Sequence, residues 1–183
     1  MKNFFYVLIG SAVVLSCGQP KQQQEEQPAK ETVVTQQPAE LIMDQKYANI
    51  GREGIAALSS GDVASWMNSF ADNAVFDWSS GDSLVGKKAI TDYWTDRRGK
   101  VIDKLVIKSD IWYTMKINQP QKGPDAPGVW LMNWLQIETT YKNGATVRMW
   151  IHNDMHFNSS DKIDRMIQYL DRAPIAAALA KKK

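Results

Sequence analysis

The chain is poor in the residues that build metal centres and covalent frameworks. Of its 183 residues one is cysteine, Cys17, and two are histidine, His152 and His156. A single cysteine excludes an internal disulfide and a thiolate metal cage. A zinc site needs at least three protein ligands about 2 Å from the ion. Four strand residues separate the two histidines by about 13 Å, so they cannot share one ion and no metal is expected. Charge of one sign is missing too: 22 basic against 20 acidic residues leave +2. Such a balance creates no long-range field pointing to nucleic acid. The sequence also lacks a phosphate-binding glycine loop, a dinucleotide fingerprint and a Ser or Cys nucleophile arrangement, and no cofactor is expected.

Apolar runs are short. The longest stands in "MKNFFYVLIGSAVVLSCG", where Lys2 precedes Phe4 to Leu15. That is a secretory leader over residues 1–16, too short for a spanning helix. Val14-Leu15-Ser16-Cys17 resembles the lipobox of bacterial lipoproteins. The resemblance implies lipidation of Cys17, a membrane partner through that anchor, and a place in the bacterial cell envelope. Each buried methylene of an acyl chain contributes about 0.8 kcal/mol to anchoring. Residues 17–42 are rich in Gln, Glu and Pro, and almost without bulky apolar side chains. They predict a disordered tether, with Pro28 and Pro38 opposing a helix.

Residues 43–183 are enough for one ordinary domain and carry all seven tryptophans. Tyr47, Ile50, Gly54 and Leu58 recur at helical spacing and Gly61 supplies the stop. Gly51 and Gly54 inside that helix imply a close neighbour. Asp62 caps a second helix whose stripe is Val63, Trp66, Met67 and Phe70. The strand "AVFDW" follows, then a helix "KKAITDYWTDRR" with Ile90, Tyr93, Trp94 and Arg97 on its inner face. Four strands complete the chain: "VIDKLVIKSDIWYTMKI", long enough to bulge, then "VWLMNWLQIETTY", "ATVRMWIHNDMHF" and "KIDRMIQYL". Helices followed by an antiparallel meander predict an α+β domain.

At this point the sequence resembles the nuclear transport factor 2-like, or SnoaL-like, superfamily. The likeness lies in Gly61-Asp62, in "FADNAV" from Phe70, in "GKKAI" from Gly86, and in "DKIDRMIQYLD", where Asp161 stands in the family's glycine position. It covers about Ala48 to Asp171 and implies a cone-shaped curved antiparallel sheet packed on about three helices, enclosing an apolar pocket. Members include isomerases, dehydratases, epoxide hydrolases, cyclases and non-enzymatic binders.

Register decides which side chains meet. A two-residue turn at Asn143-Gly144 would pair Leu135 with His152 and Asn133 with Asp154. Arg165 would then face Asp154 across the next turn. Trp134, Gln136, Asn153 and Met155 are the expected cone wall, joined by Trp78, Tyr93, Trp94 and Gln168 as ligand contacts. Gln168 occupies the place where epoxide-hydrolase-like members carry an acid, which argues against that chemistry. His152 and Asp154 are the candidate base and orienting carboxylate, and Asp77 or Asp154 with Tyr93 or Tyr47 a candidate proton-transfer set. Three readings stay open: a binder of a small hydrophobic or aromatic ligand, a SnoaL-like enzyme using a His/Asp pair, and a homodimeric interaction module.

Overall fold

Gly61 and Asp62 organise the first turn of the domain. Helix α1 (Lys46–Ser60) ends where Gly61 takes φ 95° and donates to the Ala57 and Leu58 carbonyls. The Asp62 carboxylate then accepts from the Ser65 N–H and starts α2 (Val63–Met67). The computed structural model describes residues 37–180. The leader, Cys17 and most of the expected tether lie outside the described residues.

The apolar stripe expected to carry α2 to Phe70 is cut at Met67. Phe70 instead opens β2 (Phe70–Trp78), where it is fully buried opposite Ile163. Sheet pairing overrides the helical spacing there. A short β3 (Ser83–Val85) leads through Gly86, at φ 89°, into α3 (Lys87–Asp96), whose Ile90 and Trp94 are buried. A single π-type turn, Arg97–Val101, widens the helix end before β4 (Ile102–Ile117). Then come β5 (Gly128–Tyr141), β6 (Thr146–Phe157), β7 (Ile163–Tyr169) and α4 (Ala173–Leu179).

Besides β3, which falls in a stretch expected to be a link, two elements stand where none was expected. Ala39–Ile42, inside the expected tether, forms β1 and pairs with the far end of β4. The small-residue segment after β7 forms α4. Among the described residues the protein is thus four helices against one seven-stranded sheet in the order β1-β4-β5-β6-β7-β2-β3. Only β2 and β7 run parallel. Register shifts in β4 after Ile102 and after Ile107 bend the long strand and curve the sheet round the helices.

The β5–β6 turn differs from expectation by one residue. Tyr141 N–H donates to the Ala145 carbonyl at 2.8 Å, enclosing Lys142, Asn143 and Gly144, with Gly144 at φ 87°. Asn143 holds this three-residue loop: its carbonyl accepts from Ala145 N–H, and its amide donates to the Ala178 carbonyl of α4 at 2.9 Å. Asn133 therefore pairs with Asn153 and Leu135 with Ile151, not with Asp154 and His152. A slip of one residue moves a whole strand's side chains to the other face. The concave face consequently joins Leu131, Asn133 and Leu135 to Ile151, Asn153 and Met155, all buried. Tyr47 and Lys46 bind the carboxylate of Asp161, which holds φ 55° in the glycine-like position.

Gly51 explains the glycine within α1. A Cβ there would lie 2.5 Å from the Trp112 ring and 2.6 Å from the Leu131 side chain. Alanine in a helix normally gains about 1 kcal/mol over glycine, whereas overpacking a core costs about 1–3 kcal/mol. Gly51→Ala is expected to lower stability by about 1 kcal/mol in urea denaturation. A gain would show that Trp112 moves aside freely.

Candidate ligand cavity

The concave face and the helices do not close completely. They leave a cavity of about 550 Å³. Ile55 and Leu58 of α1, Leu135 and Ile137 of β5, and Met149 and Ile151 of β6 form its walls. Its aromatic end is built from Trp66, Trp78, Tyr93 and Trp94. These rings meet edge to face: Trp66 and Trp94 at 5.5 Å and 85°, Tyr93 and Trp94 at 5.6 Å and 86°. Such contacts contribute about 0.5–1.5 kcal/mol each beyond burial, and they hold the wall rigid. Ile175 and Leu179 of α4 also line it.

One polar feature crosses this apolar region. Asn133, Asn153 and Gln168 stand level on β5, β6 and β7 because the register aligns them. Gln168 Nε2 donates to Asn153 Oδ1 at 3.1 Å, and Asn153 Nδ2 donates to Asn133 Oδ1 at 2.7 Å. Both asparagines are wholly buried. The relay orients Gln168 so that its side-chain Oε1, without a protein donor among the described residues, is left at the cavity wall. At the rim Arg172 donates to Asp82 at 2.9 Å and lies over the Trp78 ring at 5.4 Å. That hydrogen bond, aided by Ser80, holds the Asp82 carboxyl below its ordinary range.

Of the residues expected at the site, Trp78, Tyr93, Trp94 and Gln168 line the cavity. Asn153 lies one step behind the wall, in the relay. Trp134 and Gln136 do not reach it, because the corrected register places them on the convex face. His152, Asp154 and Asp77 lie on that face as well, outside the cavity. There His152 Nε2 meets Asp154 Oδ1 at 2.8 Å, with Trp134 and Tyr169 on either side at 4.4 and 5.6 Å between ring centres. Strand neighbours two apart are about 7 Å apart along the backbone, but these side chains lean together. The expected Asp154–Arg165 pair does not form. Asp164 is an extra residue between the Phe157–Ile163 and His156–Arg165 pairs, so Ile167 faces Asp154. Arg165 turns to Asp77 at 3.2 Å, and Asp164 binds His156 Nδ1 at 2.6 Å. Tyr47 is committed to Asp161 and takes no part in the cavity.

Sequence reasoning missed Tyr141, Arg172 and α4. Tyr141 shares the alternation of Leu135 and Ile137 and was within reach of the same count. Arg97 was placed on the inner face of α3 but given no role; it too lines the cavity.

No family model and no curated protein matches this sequence. Solved structures resemble it in shape. A candidate polyketide cyclase of Xanthomonas campestris pv. campestris superposes with TM-score 0.60 at 12% identity, over 74% of this chain and 98% of its own. An LEH-like epoxide hydrolase of M. tuberculosis gives 0.54 at 12%, over 74% and 90%. An NTF2-like protein of Burkholderia pseudomallei K96243 gives 0.56 at 11%, over 74% and 98%. At such identities the likeness shows the fold.

Burial pushes the Asp154 carboxyl up, and His152 offsets part of that shift. A carboxyl raised on folding adds stability when protonated, below its unfolded value, and loses it as pH rises through the raised folded value. Once ionised, Asp154 is therefore disfavoured by its burial. Asp154→Asn is expected to raise Tm at a pH well above the raised value, by a few degrees at most for a single polar substitution in a domain of this size. That gain should shrink as pH falls through the raised pKa. A lower Tm at the higher pH would instead make the His152–Asp154 pair net stabilising.

Proposed function

We propose that this chain, whose domain has the nuclear transport factor 2-like fold, binds a small hydrophobic ligand inside its cone. One observation carries the reading. The cavity has apolar and aromatic walls, and among the described residues the only carboxylate in its lining is Asp82, already engaged by Arg172. Neither histidine lines it. A proton-transfer enzyme needs a base within hydrogen-bond reach of its substrate. The His152–Asp154 pair is on the opposite face of the sheet from this pocket, so proton transfer by that pair is the weaker reading. The volume falls in the range of small-molecule sites, which combine apolar walls with few fixed polar groups.

Three tryptophans, Trp66, Trp78 and Trp94, line the cavity and report on occupancy. Titration with 1-naphthol is expected to change intrinsic fluorescence saturably. Ile151→Trp, which fills the space, should weaken binding at least tenfold. Trp150→Ala on the convex face should leave it unchanged. Equal binding by the filled variant would remove the cavity from the function.

A second reading, compatible with the first, concerns the convex face. Ile111, Tyr113, Trp150 and Tyr169 stand there 44%, 51%, 48% and 41% exposed, next to Trp134 and His152. Contiguous exposed aromatics mark an interaction surface, and we infer that this one joins two copies of the chain. Sedimentation velocity at micromolar concentration should find a dimer that Tyr113→Asp with Trp150→Asp converts to monomer. A monomeric parent protein would end this reading.

A further inference from the structure

The cavity carries an unpaired cation beside an unpaired hydroxyl, and together they define one end of its ligand. Arg97 lies over the Tyr93 ring at 5.7 Å and has no carboxylate within ion-pair distance among the described residues. Of the charges near it, Asp96 is held by Lys100 at 2.5 Å and Asp82 by Arg172. Arg98 donates to the Ser59 carbonyl at 3.0 Å and keeps two guanidinium nitrogens without a partner among the described residues, but it does not line the cavity. Among the described residues Arg97 is thus the cation of the cavity lining without an ion-pair partner.

Tyr141 is the second observation. Its side chain is 3% exposed and lines the cavity, yet its hydroxyl has no hydrogen-bond partner among the described residues. Burial raises its pKa and the positive charge of Arg97 opposes the rise, so the phenol and the guanidinium sense one another. The hydroxyl is open to the cavity, so it is free to donate to a ligand there. A guanidinium fork beside a phenol O–H is a donor set suited to a carboxylate.

The cavity's wall sets the rest of the ligand. Between Tyr141 and Gln168 that wall is apolar, formed by Leu135, Ile137, Met149 and Ile151. We propose that the ligand is an elongated amphipathic carboxylate, its head group bound by Arg97 and Tyr141 and its apolar body running along β5 toward Gln168. This rests on the cavity-binding reading above.

The test compares dodecanoate with dodecanol, which share a chain and differ in the head group, by fluorescence titration at pH 8. Wild-type protein is expected to bind the acid at least tenfold more tightly than the alcohol. Arg97→Gln should remove that preference by weakening dodecanoate about tenfold while leaving dodecanol within twofold. Tyr141→Phe should weaken dodecanoate several-fold and leave dodecanol alone, and Lys100→Gln should change neither. Equal affinity of wild type for both ligands overturns the head-group assignment while keeping the cavity as the site. So does an Arg97→Gln variant that loses both equally. Binding of neither ligand overturns the cavity reading itself.

Discussion

The hydrogen bond from Tyr141 N–H to the Ala145 carbonyl closes a three-residue turn, and the register of the central hairpin follows from it. Everything on the concave face inherits that register. It places Asn133 opposite Asn153, sets Leu135 against Ile151, and brings Gln168 level with both asparagines through β7. The same count puts Trp134 beside His152 on the convex face. One residue fewer in the turn would exchange the two faces of β6, burying His152 and Asp154 and exposing Asn153 and Met155. The His152–Asp154 pair would then enter the apolar core, where the cost of desolvating two ionisable groups exceeds what their mutual contact returns. The turn and the polar pattern of β6 agree, which is what makes the register unique.

The amide relay shows how a polar group is kept in an apolar cavity. Each unsatisfied buried amide costs about 1–3 kcal/mol, so a lone glutamine in this wall would be unfavourable. Linking Gln168 to Asn153 and Asn153 to Asn133 satisfies the interior partners and moves the open valences to the two ends. At one end Asn133 Nδ2 has no partner among the described residues. At the other the Gln168 side-chain carbonyl meets the cavity. The relay gives the wall a fixed acceptor where a carboxylate would have supplied a base, and this separates a binding wall from a proton-transfer wall.

Much of this was legible in the sequence where the signal is local. Gly61 with Asp62, the stripe of α1 and the inner face of α3 depend on neighbours three or four residues away, and they stand where spacing put them. Tyr93 and Trp94 were legible for the same reason, whereas Trp78 and Gln168 were placed by the resemblance to the superfamily's strands. The β5–β6 register was not. Asn-Gly suits both a two-residue turn and a three-residue turn with a bulge, and the tie from Asn143 to Ala178 that holds the longer one crosses 35 residues. Trp134 and Gln136 were misassigned by that single step. β1 and α4 escaped because each is short and neither has a strong pattern; their partners in β4 and at the cone's rim define them.

Helix α4 is the least firmly held part of the cavity wall. Seven residues are too few to hold a helix without tertiary support. Its holds are the buried Ala178, the Asn143 amide on its last turn, and Arg172 at its start, over the Trp78 ring and paired with Asp82. A helix fastened at so few points opens by local unfolding more often than the sheet behind it. Ile175 and Leu179 line the cavity, so each such opening removes part of the wall while the register of the sheet stays intact.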